Sequence, residues 1–170
     1  INIQPDQVEP VRAALAAQGL SPELAPMVRG RLTRINGVEV SAASYSDDRA
    51  QRLIDREFNL SMRPDLPEGN RQTAGRWFSG ADLAGQGKDA VASVEDGLAK
   101  TLGLAVGDRL EFVIASEKVI MTVVGLRKVN WDTMRANFFV LTPPVVLEGY
   151  PASWITSFYL APEKAEFVNR

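Results

Sequence analysis

Leu110-Glu111-Phe112-Val113-Ile114 and, past residues 115–118, Val119-Ile120-Met121-Thr122-Val123-Val124-Gly125-Leu126 decide how this 170-residue chain is read. The first run alternates in the period of two that a half-buried strand requires. The second is the densest apolar stretch of the sequence, yet it is strand-sized and stops at Gly125, far short of the ~18–20 apolar residues that cross a bilayer. With Gly107-Asp108 turning in and Ser116-Glu117 connecting them, the two runs predict an antiparallel pair. Upstream, residues 24–35 alternate loosely and meet Asn36-Gly37, the dipeptide that a two-residue hairpin prefers because both central positions need positive φ; Val38-Glu39-Val40 returns. Residues 1–4, 138–141 and 155–160 supply further strands, the last two ended by Pro143-Pro144 and Ala161-Pro162.

Three helices are expected between them. One runs from an Asp6 cap to a Gly19 stop. A second covers residues 44–58, capped by Ser46 or Asp47, with Ala50, Leu53, Ile54 and Phe58 on one face. A third is opened by Ser93 with Asp96 in the capping-box position, carries Val94, Leu98 and Leu102 on its face, and stops at Gly103-Leu104. Pro64, Pro67 and Gly69-Asn70 mark an irregular loop. Strands outnumber helices and both hairpins are local, so the expected class is α+β with mainly antiparallel sheets.

Composition narrows the chemistry. The chain has 19 basic and 21 acidic residues, a net charge of −2, and no basic stripe that would release counterions from a nucleic acid. It contains no cysteine, hence no thiolate nucleophile, disulfide or cysteine zinc site, and no histidine, hence no imidazole ligand or near-neutral general base. Asp47-Asp48 and Glu95-Asp96 fall in first turns of predicted helices, where carboxylates meet the positive end of the helix dipole, so capping outweighs acid–base catalysis. The glycines around residues 80–87 lack the order of a dinucleotide or phosphate loop, and no acidic residues follow calcium-loop spacing. No catalytic residue, cofactor or metal is expected. What stands out is Arg76-Trp77-Phe78 and the stretch from Trp131 to Phe139, where Arg76, Trp77, Trp131, Arg135 and Asn137 combine large apolar groups with polar ones. Half-buried packing is the plainer account of that cluster, and an interaction surface is the functional one.

Several runs in order resemble the extracytoplasmic, periplasmic domain of FtsX-like, MacB-type ABC transporter permeases, in particular the YbbP type. They are Asn2-Ile3-Gln4-Pro5-Asp6-Gln7, Arg49-Ala50-Gln51-Arg52-Leu53, Arg56-Glu57-Phe58-Asn59-Leu60-Ser61, Gly75-Arg76-Trp77-Phe78, Leu126-Arg127-Lys128-Val129-Asn130-Trp131-Asp132, Asn137-Phe138-Phe139-Val140-Leu141 and Ile155-Thr156-Ser157-Phe158-Tyr159-Leu160. The resemblance implies a MacB-like periplasmic core: a discontinuous porter-like α/β subdomain from residues 1–30 and 131–170, and an inserted mostly β subdomain with short helices from 31–130. It also implies a noncatalytic role, transmitting ATP-driven motion on the periplasmic side of the inner membrane for extraction or export of a hydrophobic or lipid-like substrate. The implied partners are the permease's own transmembrane helices, a cytoplasmic ATP-binding subunit and a periplasmic lysophospholipase-like esterase. The chain opens on Ile1-Asn2-Ile3 and ends on Asn169-Arg170, as expected of a segment of a longer protein. A free-standing periplasmic lipid- or lipoprotein-binding or chaperone module is the rival reading, marked by an enclosed apolar cavity. A carboxylate-dependent hydrolase is a third, marked by two converging, pKa-shifted carboxylates.

Overall fold

The computed structural model describes residues 2–3, 10, 13, 23–85, 90–130 and 138–157. Its strands are β1 (Asn2–Ile3), β2 (Glu23–Ile35), β3 (Val38–Glu39), β4 (Phe58–Met62), β5 (Asn70–Gly75), β6 (Ala90–Glu95), β7 (Arg109–Ile114), β8 (Glu117–Val129), β9 (Val140–Thr142) and β10 (Ser153–Ser157). Between them lie the helices α1 (Asp48–Ile54), α2 (Gly80–Leu83), α3 (Asp96–Leu102) and α4 (Pro144–Leu147). Six strands close on themselves: β2 pairs with β4, β4 with β9, β9 with β6, β6 with β8, β8 with β7, and β7 returns to β2. The β4–β9 and β6–β8 pairings are parallel and the others antiparallel.

This corrects the expectation of an α+β chain with mainly antiparallel sheets, and with it the MacB-like core carrying a porter-like α/β subdomain. The protein is mostly β, its sheet is mixed, and its centre is a closed six-stranded barrel. Two stretches caused the misreading. Residues 91–95 are buried on both faces, so they show none of the alternation that identifies a half-buried strand, and Ser93 looked like a helix cap. It lies inside β6 instead. The helix begins at Asp96, and the cap is Glu95, whose carboxylate accepts from the backbone N–H of Gly97 (2.9 Å) and Leu98 (2.7 Å). The loop expected at Pro64, Pro67 and Gly69 is present over residues 63–69, but it joins two strands that were not expected, and Phe58 opens β4 rather than closing a helix. Parallel partners are joined by long connections, so no local pattern announces them.

Side chains of the described residues fill the barrel interior. Leu60, Leu110, Phe112, Ile114, Met121, Val123 and Val140 belong to one buried cluster, with Phe58 and Phe112 edge-on at 6.1 Å, and so small a barrel is filled by such side chains. Ala50, Leu53 and Ile54 of α1, Leu98, Ala99 and Leu102 of α3, and Leu147 of α4 join the same core.

Bulges bend the strands into this ring. β2 carries one extra residue, Thr33, between its pairings of Leu32 and Arg34 with β7. Val28 and Leu32 are core residues before it, and Ile35 packs on the core after it. β8 carries Val124 between its pairings of Val123 and Gly125 with β6; Met121 and Val123 face the core before it and Leu126 after it. In each strand one inserted residue reverses which face the next side chains take.

Outside the ring, residues 23–27 of β2 pair with β10, and β10 pairs with β1. β2 therefore runs unbroken, over about 40 Å at the usual rise, from this outlying layer into the barrel wall. β5 lines the free side of β8, and β3 pairs with the end of β2.

Other expectations hold locally. Asn36 (φ 52°) and Gly37 (φ 80°) form the hairpin turn. α1 is shorter than residues 44–58, and Asp47 caps it by accepting from the Ala50 N–H at 3.0 Å. Gly103 ends α3 at φ 76°, with the Leu104 N–H bonded to the Ala99 carbonyl. The β7–β8 turn is Ala115-Ser116, one residue earlier than expected. The helix expected over residues 6–19 falls, apart from residues 10 and 13, outside the described residues, as do residues 158–160 of the last strand.

Candidate interaction surface

The corner after β5 holds Arg76 and Trp77. The ladder runs on past Gly75, with the Arg76 N–H donating to the Val124 carbonyl at 2.9 Å. Gly75 is required there: it sits at φ 65°, and a Cβ would lie 2.2 Å from the Val124 oxygen. Ser79 and Asp82 then form a reciprocal capping box around α2, the Ser79 N–H donating to Asp82 Oδ2 at 2.8 Å and the Asp82 N–H to Ser79 Oγ at 3.2 Å. Arg76 closes the corner by donating from Nη1 to Asp82 Oδ2 at 2.5 Å and to the Trp77 carbonyl at 3.0 Å. Partial burial pushes the Asp82 carboxyl up, but hydrogen bonds from Arg76 and Ser79 and the Arg76 charge outweigh it and hold the pKa below its ordinary 3.8.

Trp77 turns inward from the same corner. Its indole N–H donates to the Pro64 carbonyl at 2.9 Å, its ring lies 4.1 Å from that of Phe78, and it packs against the small cluster of Met27, Phe138 and Leu141. The structure thus joins Arg76 and Trp77 through one loop, with Arg76 half exposed and Trp77 anchored. Trp131, Arg135 and Asn137 lie outside the described residues.

Among the described residues, two open grooves flank the barrel. One of about 500 Å³ is lined by Arg31, Arg34 and Lys118 against Glu39, Asp55 and Glu111, a balance of charge that favours neither anion nor cation. The other, about 550 Å³, lies where the outlying layer meets the barrel and includes Met27, Arg29, Glu57, Ala115, Pro151 and Ser153. Neither is the enclosed apolar chamber that would mark a lipid carrier. Among the described residues no three Asp or Glu side chains converge on a possible metal position, and no helix is long and apolar enough to cross a membrane.

Sequence reasoning overlooked a second concentration of polar groups, in which Arg127 and Glu95 are buried beside Gln72 and Ser93. No local signal separates Arg127 from its exposed neighbour Lys128; only the bulge at Val124 decides which of them goes inside.

No protein-family model matches the chain. Kinship by sequence nonetheless supplies its class: the chain is related to a segment of an ABC transporter permease. That permease is YbbP of Escherichia coli (strain K12), itself uncharacterized; 159 residues align at 38% identity, covering 93% of this chain. The relation expected from the ordered motif runs is thereby shown. The chain spans 18% of the length of YbbP. A crystal structure of a domain from Porphyromonas gingivalis, described as part of a permease protein, overlaps 86% of this chain and 66% of its own with a TM-score of 0.45 at 13% identity, a likeness too slight to carry argument.

Proposed function

We propose that this chain is a noncatalytic extracytoplasmic domain of an ABC transporter permease, one that moves as a body on the periplasmic side of the inner membrane while a cytoplasmic subunit hydrolyses ATP. The observation that carries the reading is the 38% identity to YbbP across 93% of the chain. The architecture agrees with it. A closed barrel with a filled interior resists deformation, and β2 joins the outlying layer to that barrel without a break, so displacement of one carries the other. Motion driven from afar requires contacts that differ between two states, not a reactive group.

In the full-length permease the barrel moves against the membrane helices, and the cargo is hydrophobic or lipid-like. The division proposed is residues 1–30 with 131–170 as one unit and 31–130 as the other. Arg76 and Trp77, with Trp131, Arg135 and Asn137, form the contact surface; Trp131→Ala or Arg135→Ala lowers ATP-driven transport while the melting curve stays near that of the parent. Parallel loss of stability and transport makes them packing residues instead. Location has a direct test: in a full-length permease with any cysteine outside this segment replaced (the segment itself has none), Val38, 67% exposed at a hairpin tip, is replaced in Val38→Cys and treated with a membrane-impermeant maleimide on intact cells. Labelling is expected before permeabilisation, and labelling only afterwards overturns the periplasmic placement.

A further inference from the structure

β9 is three residues long, yet it joins β4 to β6 and so completes the ring. What holds so short a strand in register lies just before it. Beyond the Val124 bulge, β8 turns Arg127 away from the barrel core, where it is wholly buried. Register places Gln72 of β5 on one side of it and Glu95 of β6 on the other, and Ser93, two residues before Glu95, shares their face. Arg127 donates from Nη2 to the Phe138 carbonyl at 2.5 Å, and the Glu95 N–H donates to the Phe139 carbonyl at 2.8 Å. Arg127 Nε and Nη1, both amide atoms of Gln72 and the Ser93 hydroxyl are buried without a partner among the described residues.

Arg127 and Glu95 are not equivalent. The Glu95 carboxylate is satisfied by two backbone N–H groups at the N-terminus of α3, and it remains satisfied if Arg127 is removed. Among the described residues Arg127 has one hydrogen bond for five N–H groups; burial pushes its pKa down to about 10 and the Glu95 charge opposes that shift, so it is cationic at neutral pH. Desolvating a cation for one carbonyl contact opposes folding. Removing one member of a buried ion pair is costly where it strands the other charge, but Glu95 keeps its two backbone donors.

We propose that Arg127 is a positioning residue, a buried latch that seats Phe138 and Phe139 on the barrel wall and fixes the register of β9 without adding to stability. The proposal assumes nothing about transport. It is tested in the 170-residue chain with Arg127→Met, Glu95→Gln and Gln72→Leu, by denaturant midpoint and amide hydrogen exchange. Arg127→Met is expected to hold or raise the midpoint while the Glu95 amide exchanges at least about tenfold faster and that of Phe112, on the far wall, stays within about twofold. Glu95→Gln lowers the midpoint by weakening the cap and leaving Arg127 without its counter-charge. Gln72→Leu, which alters the neighbour on the other side of Arg127 but neither the cap nor the Phe138 carbonyl contact, leaves the Glu95 amide at its original rate. The proposal is overturned if Arg127→Met fails to fold, if it lowers the midpoint as far as Glu95→Gln does, if the Glu95 amide keeps its rate, or if Gln72→Leu accelerates that amide equally.

Discussion

Turns beside the two ends of β7 reach the same angles by different means. Next to its start lies the β2–β3 turn, where Asn36 (φ 52°) and Gly37 (φ 80°) are suited to positive φ, and Asn36 is fastened to the barrel. Its N–H donates to the Arg109 carbonyl (2.8 Å), its Nδ2 to Asp108 Oδ1 (3.0 Å), and its Oδ1 accepts from the Arg109 N–H (2.9 Å). At the other end, Ala115 (φ 50°) and Ser116 (φ 69°) adopt nearly the same angles with side chains that disfavour them. That turn borders the groove shared with Met27, Pro151 and Ser153, where the outlying layer meets the barrel. One end is relaxed and pinned; the other stores backbone strain beside the junction, and strain of this sort collects where a protein moves or binds.

The contrast presupposes a single stiff body between the ends. Phe112→Ala, which empties the middle of the barrel where the ring is 1% exposed and packs on Phe58, is expected to cost about 3–5 kcal/mol and to lower the urea midpoint in one transition. Two separated transitions, or a loss below about 1 kcal/mol, dissolve the notion of one body with two ends. At the pinned end, Asn36→Ala forfeits two side-chain hydrogen bonds and forces a Cβ residue with no polar tip into positive φ. A loss of about 1–2 kcal/mol is expected by the same measurement, and no change means the pinning is ornamental.

What could be read beforehand follows the same divide. Asn36-Gly37 announces its turn because the required angles select those residues, whereas Ala115-Ser116 obeys no such preference and its turn was placed one residue late. The β7 strand was legible because its wall faces water on one side. β6 was not, since both its faces are covered, and the ring closure through β9 depends on parallel partners far apart in sequence. Arg76 and Trp77 were picked out as a pair of residue types, but their tie through Asp82 and Pro64 comes from the loop geometry. Arg127 was hidden because a single inserted residue upstream decides its direction.

At the strained end the sign reverses. Ala115→Asn combined with Ser116→Gly supplies residues that accept the observed angles, and is expected to stabilise the chain by about 1 kcal/mol, read as a higher thermal midpoint. If the midpoint falls, the present side chains are held by contacts that outweigh the backbone term. In a full-length permease, the same double substitution slows coupled transport if the turn's strain assists motion at the junction, and leaves it unchanged if the strain is incidental.

The smallest effect belongs to Asp82, in the corner that follows β5. Its folded pKa lies below the ordinary 3.8, so the folded state holds the proton less tightly than the unfolded chain. The stability this contributes is present in full above the unfolded value and is lost as pH falls through the lower folded one. Arg76 is half exposed and water screens the pair, so the contribution is under about 1 kcal/mol. Asp82→Asn is expected to melt slightly below the parent at pH 6, with the two curves converging near pH 2. A gap that persists at pH 2 means that the capping geometry at Ser79, rather than the charge facing Arg76, is what Asp82 provides.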